Sequence, residues 1–222
     1  HTGGIDDRRP FGRFGTVNLY VEPNVARALG MRMPYCFVGN KYRGVPDMSN
    51  LNERLDHLRS RIQEPAFLEG RGLSNEVNIQ IFCYDAKDEM SVQHFISQIV
   101  TDQSLSCHLI ECNLYKTFLS ACEDIDILDA IPDMEESEGS IFLLEQLHST
   151  VGESEFIEKI KYAPHQIGDI LLLTGVGDVF PFMRVHSLLE ALQPHFSDVP
   201  ILVMYPGVFD GNYLKLFDKL PP

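Results

Sequence analysis

From Met48 onward the chain alternates between helical and strand-like spacing of its apolar positions. Leu51, Leu55, Leu58 and Ile62 recur every three or four residues with polar residues between them, which predicts an amphipathic helix. That helix ends by Glu64, because Pro65 disfavours helical geometry in the residue before it. The run from Val77 to Tyr84 starts as an apolar/polar alternation, becomes wholly apolar and stops at Asp85, as a sheet strand would. Asp88 is the expected N-cap of a helix whose Phe95, Ile96, Ile99 and Val100 share one face. Leu109 to Leu114 reads as a second strand. Helical stretches follow near 115–131 and 140–151, with the acidic run Asp133-Met-Glu-Glu-Ser-Glu138 as the expected break between them. Phe156, Ile157 and Ile160 mark a further helical turn or two. Asp169 to Thr174 and Val199 to Tyr205 are strands buried on both faces by their unbroken apolar character. Between them, Val185, Leu188, Leu189 and Leu192 fall at helix spacing. Strands separated by helices predict βαβ units. The fold class is α/β, a mostly parallel sheet with helices on both faces in a Rossmann-like layering.

The first 47 residues are of another kind. They are rich in Gly, Arg and Pro and hold two short strand-like runs, Thr16 to Val21 and Pro34 to Val38. Turn signals follow at Gly39-Asn40 and Gly44-Val-Pro46. Residues 1–47 therefore read as an N-terminal extension of unclear origin, and 48–222 as the α/β domain.

Charge sharpens that division. Residues 1–47 carry seven Lys/Arg and four Asp/Glu, net +3, whereas residues 48–222 carry 11 and 28, net -17. An acidic body repels nucleic-acid phosphates, so direct nucleic-acid binding by 48–222 is not expected. A length of 222 residues suits one domain with a full core plus an extension, and 44% hydrophobic residues are those of a globular protein. No apolar run approaches the roughly 20 residues of a membrane-spanning helix. The opening His-Thr-Gly-Gly-Ile-Asp-Asp lacks the basic-then-apolar pattern of a signal peptide. The five cysteines, an odd number with no Cys-x-x-Cys pair, fit a reducing compartment. A soluble, cytoplasmic protein is the expectation.

In parallel sheets, ligands and partners gather at the carboxyl ends of the strands. Those ends hold Tyr84-Asp85, Asn113, Thr174-Gly-Val-Gly-Asp178 and Tyr205-Pro-Gly207. Gly175 and Gly177 after a strand resemble a phosphate-binding turn, but no third glycine stands in register and no Gly-Lys-Ser/Thr follows. They equally permit positive φ in a tight strand-to-helix turn. Pro181 then suits the first turn of the next helix. Arg184 and His186 lie early on that helix, and His186 reaches Glu190 four residues on. Asp85, Asp88 and Glu89 offer carboxylates as a metal-dependent nuclease would, or serve only as a cap and as acids favoured by a helix N-terminus. Cys107, His108 and Cys112 invite comparison with a zinc site, but strand neighbours face opposite sides and no fourth ligand is evident. No Gly-x-Ser-x-Gly elbow is present. No metal, cofactor or catalytic residue is assigned.

Three stretches taken in order are more specific than any one alone. They are Glu64-Pro-Ala-Phe-Leu-Glu-Gly-Arg-Gly-Leu-Ser-Asn-Glu76 leading to Tyr84-Asp85, then Thr174-Gly-Val-Gly…Pro181-Phe…Arg184-Val-His186, then Tyr205-Pro-Gly207…Asp210-Gly211. This succession resembles the BrxB family, a small component of the bacteriophage-exclusion (BREX) cassettes of bacteria and archaea, and spans roughly 48–220. The resemblance implies a cytoplasmic phage-defence protein without established enzymatic activity. Its implied partners are the other cassette products: PglZ first, then BrxC and PglX. An adaptor of this kind is expected to use its strand-end loops and the helix after them, so Gly175, Gly177, Arg184, His186, Tyr205 and Gly207 are the expected partner-binding positions. A nucleotide-binding or nucleotide-hydrolysing domain on the Gly175–Gly177 turn and a nuclease on Asp85 remain the alternatives.

Overall fold

The structure, a computed structural model, describes residues 19–20, 50–68, 78–209 and 213–217. Four parallel strands form its centre: β2 (Ile79–Tyr84), β3 (His108–Asn113), β4 (Asp169–Thr174) and β5 (Ile201–Phe209). Their spatial order is β2-β5-β4-β3, with Ile201 of β5 opposite Ile79 on one side and Leu171 on the other. The chain therefore starts at one edge, crosses to the other and returns strand by strand. Two antiparallel pieces extend the sheet. Gly207 to Phe209 pair with β6 (Tyr213–Leu216), and β1 (Leu19–Tyr20) pairs with Tyr213 and Leu214.

Because successive strand side chains point to opposite faces, the central strands feed two cores at once. Phe82, Tyr84, Ile170, Leu172, Leu202 and Met204 meet α1 (Leu51–Arg61), α2 (Pro65–Leu68) and α3 (Glu89–Thr101) on one face. Ile81, Cys83, Leu171, Leu173, Val203 and Tyr205 meet the other face's helices. These are α4 (Leu114–Asp124), α6 (Ser140–Thr150), α7 (Glu153–Ile160), α8 (Val176–Val179) and α9 (Val185–Leu192), with α5 (Ile131–Glu138) outside them. On α9, Val185, Leu188, Leu189 and Leu192 are buried, each stabilising by about 1.5–3 kcal/mol. The helix, sheet and helix layers follow the α/β reading of the sequence.

Several local expectations differ from the structure. The acidic run 133–138 is helical rather than a break, since Met and Glu are good helix formers. The chain breaks instead on either side of it, at Asp126 with φ 57° and at Gly139 with φ 86°. Asp88 occupies the N-cap position of α3 without accepting a capping bond, while Asp85 caps the short 3₁₀ turn Ala86–Asp88. Pro181 lies between α8 and α9 rather than in the first turn of a helix. The strand ending at Tyr205 continues through Pro206 and Gly207 into the hairpin. The run from Pro34 to Val38 lies outside the described residues.

Candidate functional site

The turn that leaves β4 is packed by the chain itself. Gly175 leaves β4 in the left-handed region, φ 68°, which only glycine enters without strain. A Cβ there would stand 2.7 Å from Asn113 Oδ1. That oxygen is already committed, accepting from Lys116 N at 3.0 Å as the N-cap of α4. The exits of β3 and β4 thus interlock. Gly177, inside α8, has room for no side chain either: a Cβ would meet the Phe217 ring at 2.9 Å and Pro206 at 3.1 Å. A phosphate-binding turn presents its N–H groups to open space. Here the end of the β5–β6 hairpin packs against that turn.

Tyr205 and Gly207 also belong to this closure and not to a partner-facing surface. Tyr205 is fully buried, and among the described residues its hydroxyl finds no hydrogen-bond partner. Burial pushes the phenol far above its ordinary range, so it stays neutral. Gly207 is glycine because a Cβ would lie 2.0 Å from the Lys215 carbonyl oxygen across the hairpin. Both residues are buried, not exposed as a strand-end loop would leave them. The sequence places them at a strand end, but it does not show that β5 continues beyond them.

Two of the carboxylates after β2, Asp85 and Glu89, are engaged. Asp85 accepts from Lys87 N at 3.0 Å and pairs with Lys87 Nζ at 2.5 Å, contacts that hold its carboxyl below the usual range. Glu89 accepts from Tyr84 OH at 2.6 Å and from Gln93 at 3.0 Å. Burial first, and then this bond to Glu89, raises the Tyr84 phenol well above its ordinary value. The cysteines flanking β3 fall on different faces: Cys107 joins the α1–α3 core and Cys112 packs against the α4 side. His108 is exposed, with Nδ1 3.3 Å from Asp169 Oδ1. No single ion could take both sulfurs.

Arg184 remains at the surface, whereas His186 is half-buried. Arg184 occupies the N-cap position of α9 with an extended backbone, and it is exposed. It edges a cleft of about 210 Å³ shared with His148, Glu153, Pro181 and Ser187. His148 Nε2 donates to the Pro181 carbonyl at 2.7 Å and fixes the cleft wall. Among the described residues no carboxylate pairs with Arg184. His186 Nε2 lies 3.7 Å from Glu190 Oε1, the i,i+4 pair that the spacing predicts. A larger cleft of about 610 Å³ opens beside edge strand β3 with Lys116, Lys159 and Lys161 on its wall. Lys159 is tied to Asp124 and Lys161 to Glu158, so most of that positive charge is already neutralised.

Comparison with known proteins adds a family. The family model for BREX protein BrxB matches residues 110–222. The BREX protein BrxB of Bacillus cereus (strain H3081.97) is 35% identical over 180 residues, covering 78% of this chain and 93% of that protein. The BREX protein BrxB of Escherichia coli O9:H4 (strain HS) is 28% identical over 185 residues, 77% of this chain and 92% of that one. No solved structure gives a significant match. Among the described residues no helix is long and apolar enough to cross a membrane.

Proposed function

Because the chain belongs to the BrxB family of BREX proteins, we propose that it serves bacteriophage exclusion as a non-catalytic adaptor. In this reading it holds other cassette proteins together through the surface around Arg184. PglZ is the first partner to test, with BrxC and PglX after it. The cytoplasm, where phage DNA is met, is its proposed location.

One observation carries this reading. The glycine turn after β4, where an α/β protein would cradle a phosphate, is packed against Asn113, Pro206 and Phe217. Beside it, Arg184 stands exposed at the N-terminus of α9, and among the described residues no carboxylate pairs with it. A cation at that end of a helix is disfavoured by the helix dipole, whereas an anion is favoured there. A partner carboxylate placed at the start of α9 would relieve Arg184 and satisfy free N–H groups of the first turn together. Arginine suits such an anchor because its planar fork donates two parallel hydrogen bonds. Gly175 and Gly177 contribute by shaping the turn into α8, which precedes α9, and His186 by its place in the first turn of α9.

The test is co-purification of the tagged chain from a host that carries the whole cassette. A stoichiometric complex with a cassette protein, and no nucleotide or nucleic-acid turnover by the purified chain with Mg²⁺ or Mn²⁺, is the expected result. Turnover that disappears on Asp85→Ala would replace the adaptor reading with an enzymatic one.

A further inference from the structure

On the outer side of the molecule, α4, α5 and α6 and the 181–182 segment leave an apolar groove of about 420 Å³ between them. Its floor is aromatic: the Phe118 and Phe182 rings stack at 4.5 Å and 10°. Leu143 and Leu147 of α6 and Ile131 of α5 form the walls, and Tyr115 and Leu144 stand at the rim. Tyr115 is 37% exposed although it adjoins a core cluster, so the groove's rim is incompletely covered by the chain itself.

The charge around this groove is one-sided. Between Lys116 and Lys159 the sequence contains no Lys or Arg and 12 Asp/Glu, so this single stretch holds almost all of the chain's net charge of -14. Of those acids, Glu123, Asp129, Asp133, Glu135, Glu136 and Glu145 are exposed on and between the groove's own helices, and Glu135 lines it directly. Concentrated like charge of this kind destabilises the stretch by self-repulsion and is relieved by a cation. The sequence reading treats the run as a break. In the structure it is the helix α5 that forms one wall.

We infer that this groove receives a basic amphipathic helix from a partner protein, with the helix's apolar face in the groove and its Lys/Arg against the acidic rim. A row of large apolar side chains at i, i+3 or i+4 and i+7 is the feature that such a helical groove reads. The acidic rim selects against acidic helices by like-charge repulsion and steers basic ones. The groove is separate from the Arg184 cleft in charge preference: one takes a cation-bearing helix, the other a carboxylate. The inference therefore does not depend on the adaptor reading of Arg184.

The experiment uses the full chain and a synthetic Leu/Lys peptide of about 18 residues, five helical turns, with leucines on one face and a single Trp among them. The protein contains no Trp, so the peptide's fluorescence reports its burial alone. The expected result is saturable one-to-one binding with a blue shift, weakened by rising salt. Tyr115→Ser with Leu144→Gln should weaken it by about tenfold or more. Both rim residues are partly exposed, and unchanged thermal melting of the double variant confirms that it folds. Equal binding by the double variant, by a scrambled Leu/Lys peptide or by a Leu/Glu peptide would overturn the proposal. So would a concentration-dependent dimer in sedimentation that the same two substitutions abolish, because the groove's occupant would then be a second copy.

Discussion

Substituting Gly175 by Ala separates a structural turn from a ligand-binding one. The native φ of 68° places an L-residue in the left-handed region, a strain of about 1–2 kcal/mol. The new methyl group would also stand 2.7 Å from Asn113 Oδ1 and push it off the Lys116 N–H. Loss of that N-cap costs about 1 kcal/mol. Reduced freedom of the unfolded chain offsets about 0.4–1 kcal/mol. The net is a loss of about 1–2.6 kcal/mol. At this chain length each kcal/mol moves the midpoint by about 2–4 °C, so thermal melting followed by circular dichroism should drop by about 2–10 °C. The interlock makes a second, sharper demand. In an Asn113→Ala background the clash and the cap are both gone, so Gly175→Ala should cost about 1 kcal/mol less there. Equal costs in the two backgrounds, or a Gly175→Ala variant that melts like the parent, would show that the turn is not held as described.

Other outcomes follow from the same geometry. Gly207→Ala drives a methyl group to 2.0 Å from a backbone oxygen that cannot rotate away, so it should destabilise more than Gly175→Ala in the same melt. Asp85→Ala removes the cap of the 3₁₀ turn and should cost about 0.5–2 kcal/mol in urea unfolding. Glu155, held below its ordinary 4.5 first by the Gly152 N–H and then by Ser154, binds its proton at lower pH in the folded chain than in the unfolded one. Its contribution is full above 4.5 and is lost as pH falls through the lowered value, so Glu155→Gln should flatten the acid side of the stability profile. Duplex DNA should bind residues 48–222 without the basic first 47 only weakly at physiological salt in a mobility-shift assay, given their net charge of -17.

β2, β4 and β5 are legible because each carries a long apolar run, whereas edge strand β3, His-Leu-Ile-Glu-Cys-Asn, is mixed and nowhere fully buried. Three of the strand starts differ by one or two residues from the sequence reading. β6 and the hairpin were hidden because Pro206 and Gly207 carry the signature of a turn. In the structure Pro206 still accepts from Phe217 N at 2.9 Å, and Gly207 permits close approach of Lys215. Helix α5 was hidden by its acidic composition, which composition alone cannot distinguish from a solvated loop. At the candidate site, Gly175 and the His186–Glu190 pair follow from local spacing. The burial of Tyr205 and the groove over Phe118 and Phe182 do not, because both arise from elements far apart in the chain.

Arg184→Glu, introduced into the full chain within a complete cassette, tests the adaptor account most directly. Arg184 is exposed and its backbone stays in place, so thermal stability should change by no more than about 0.5 kcal/mol. An acid at that helix end is, if anything, favoured by the dipole. The account predicts that the variant loses co-purification with PglZ or its companion cassette proteins, and loses phage protection with it, while melting like the parent. A variant that still assembles and protects, or one that unfolds, would contradict it and leave Arg184 as a structural residue.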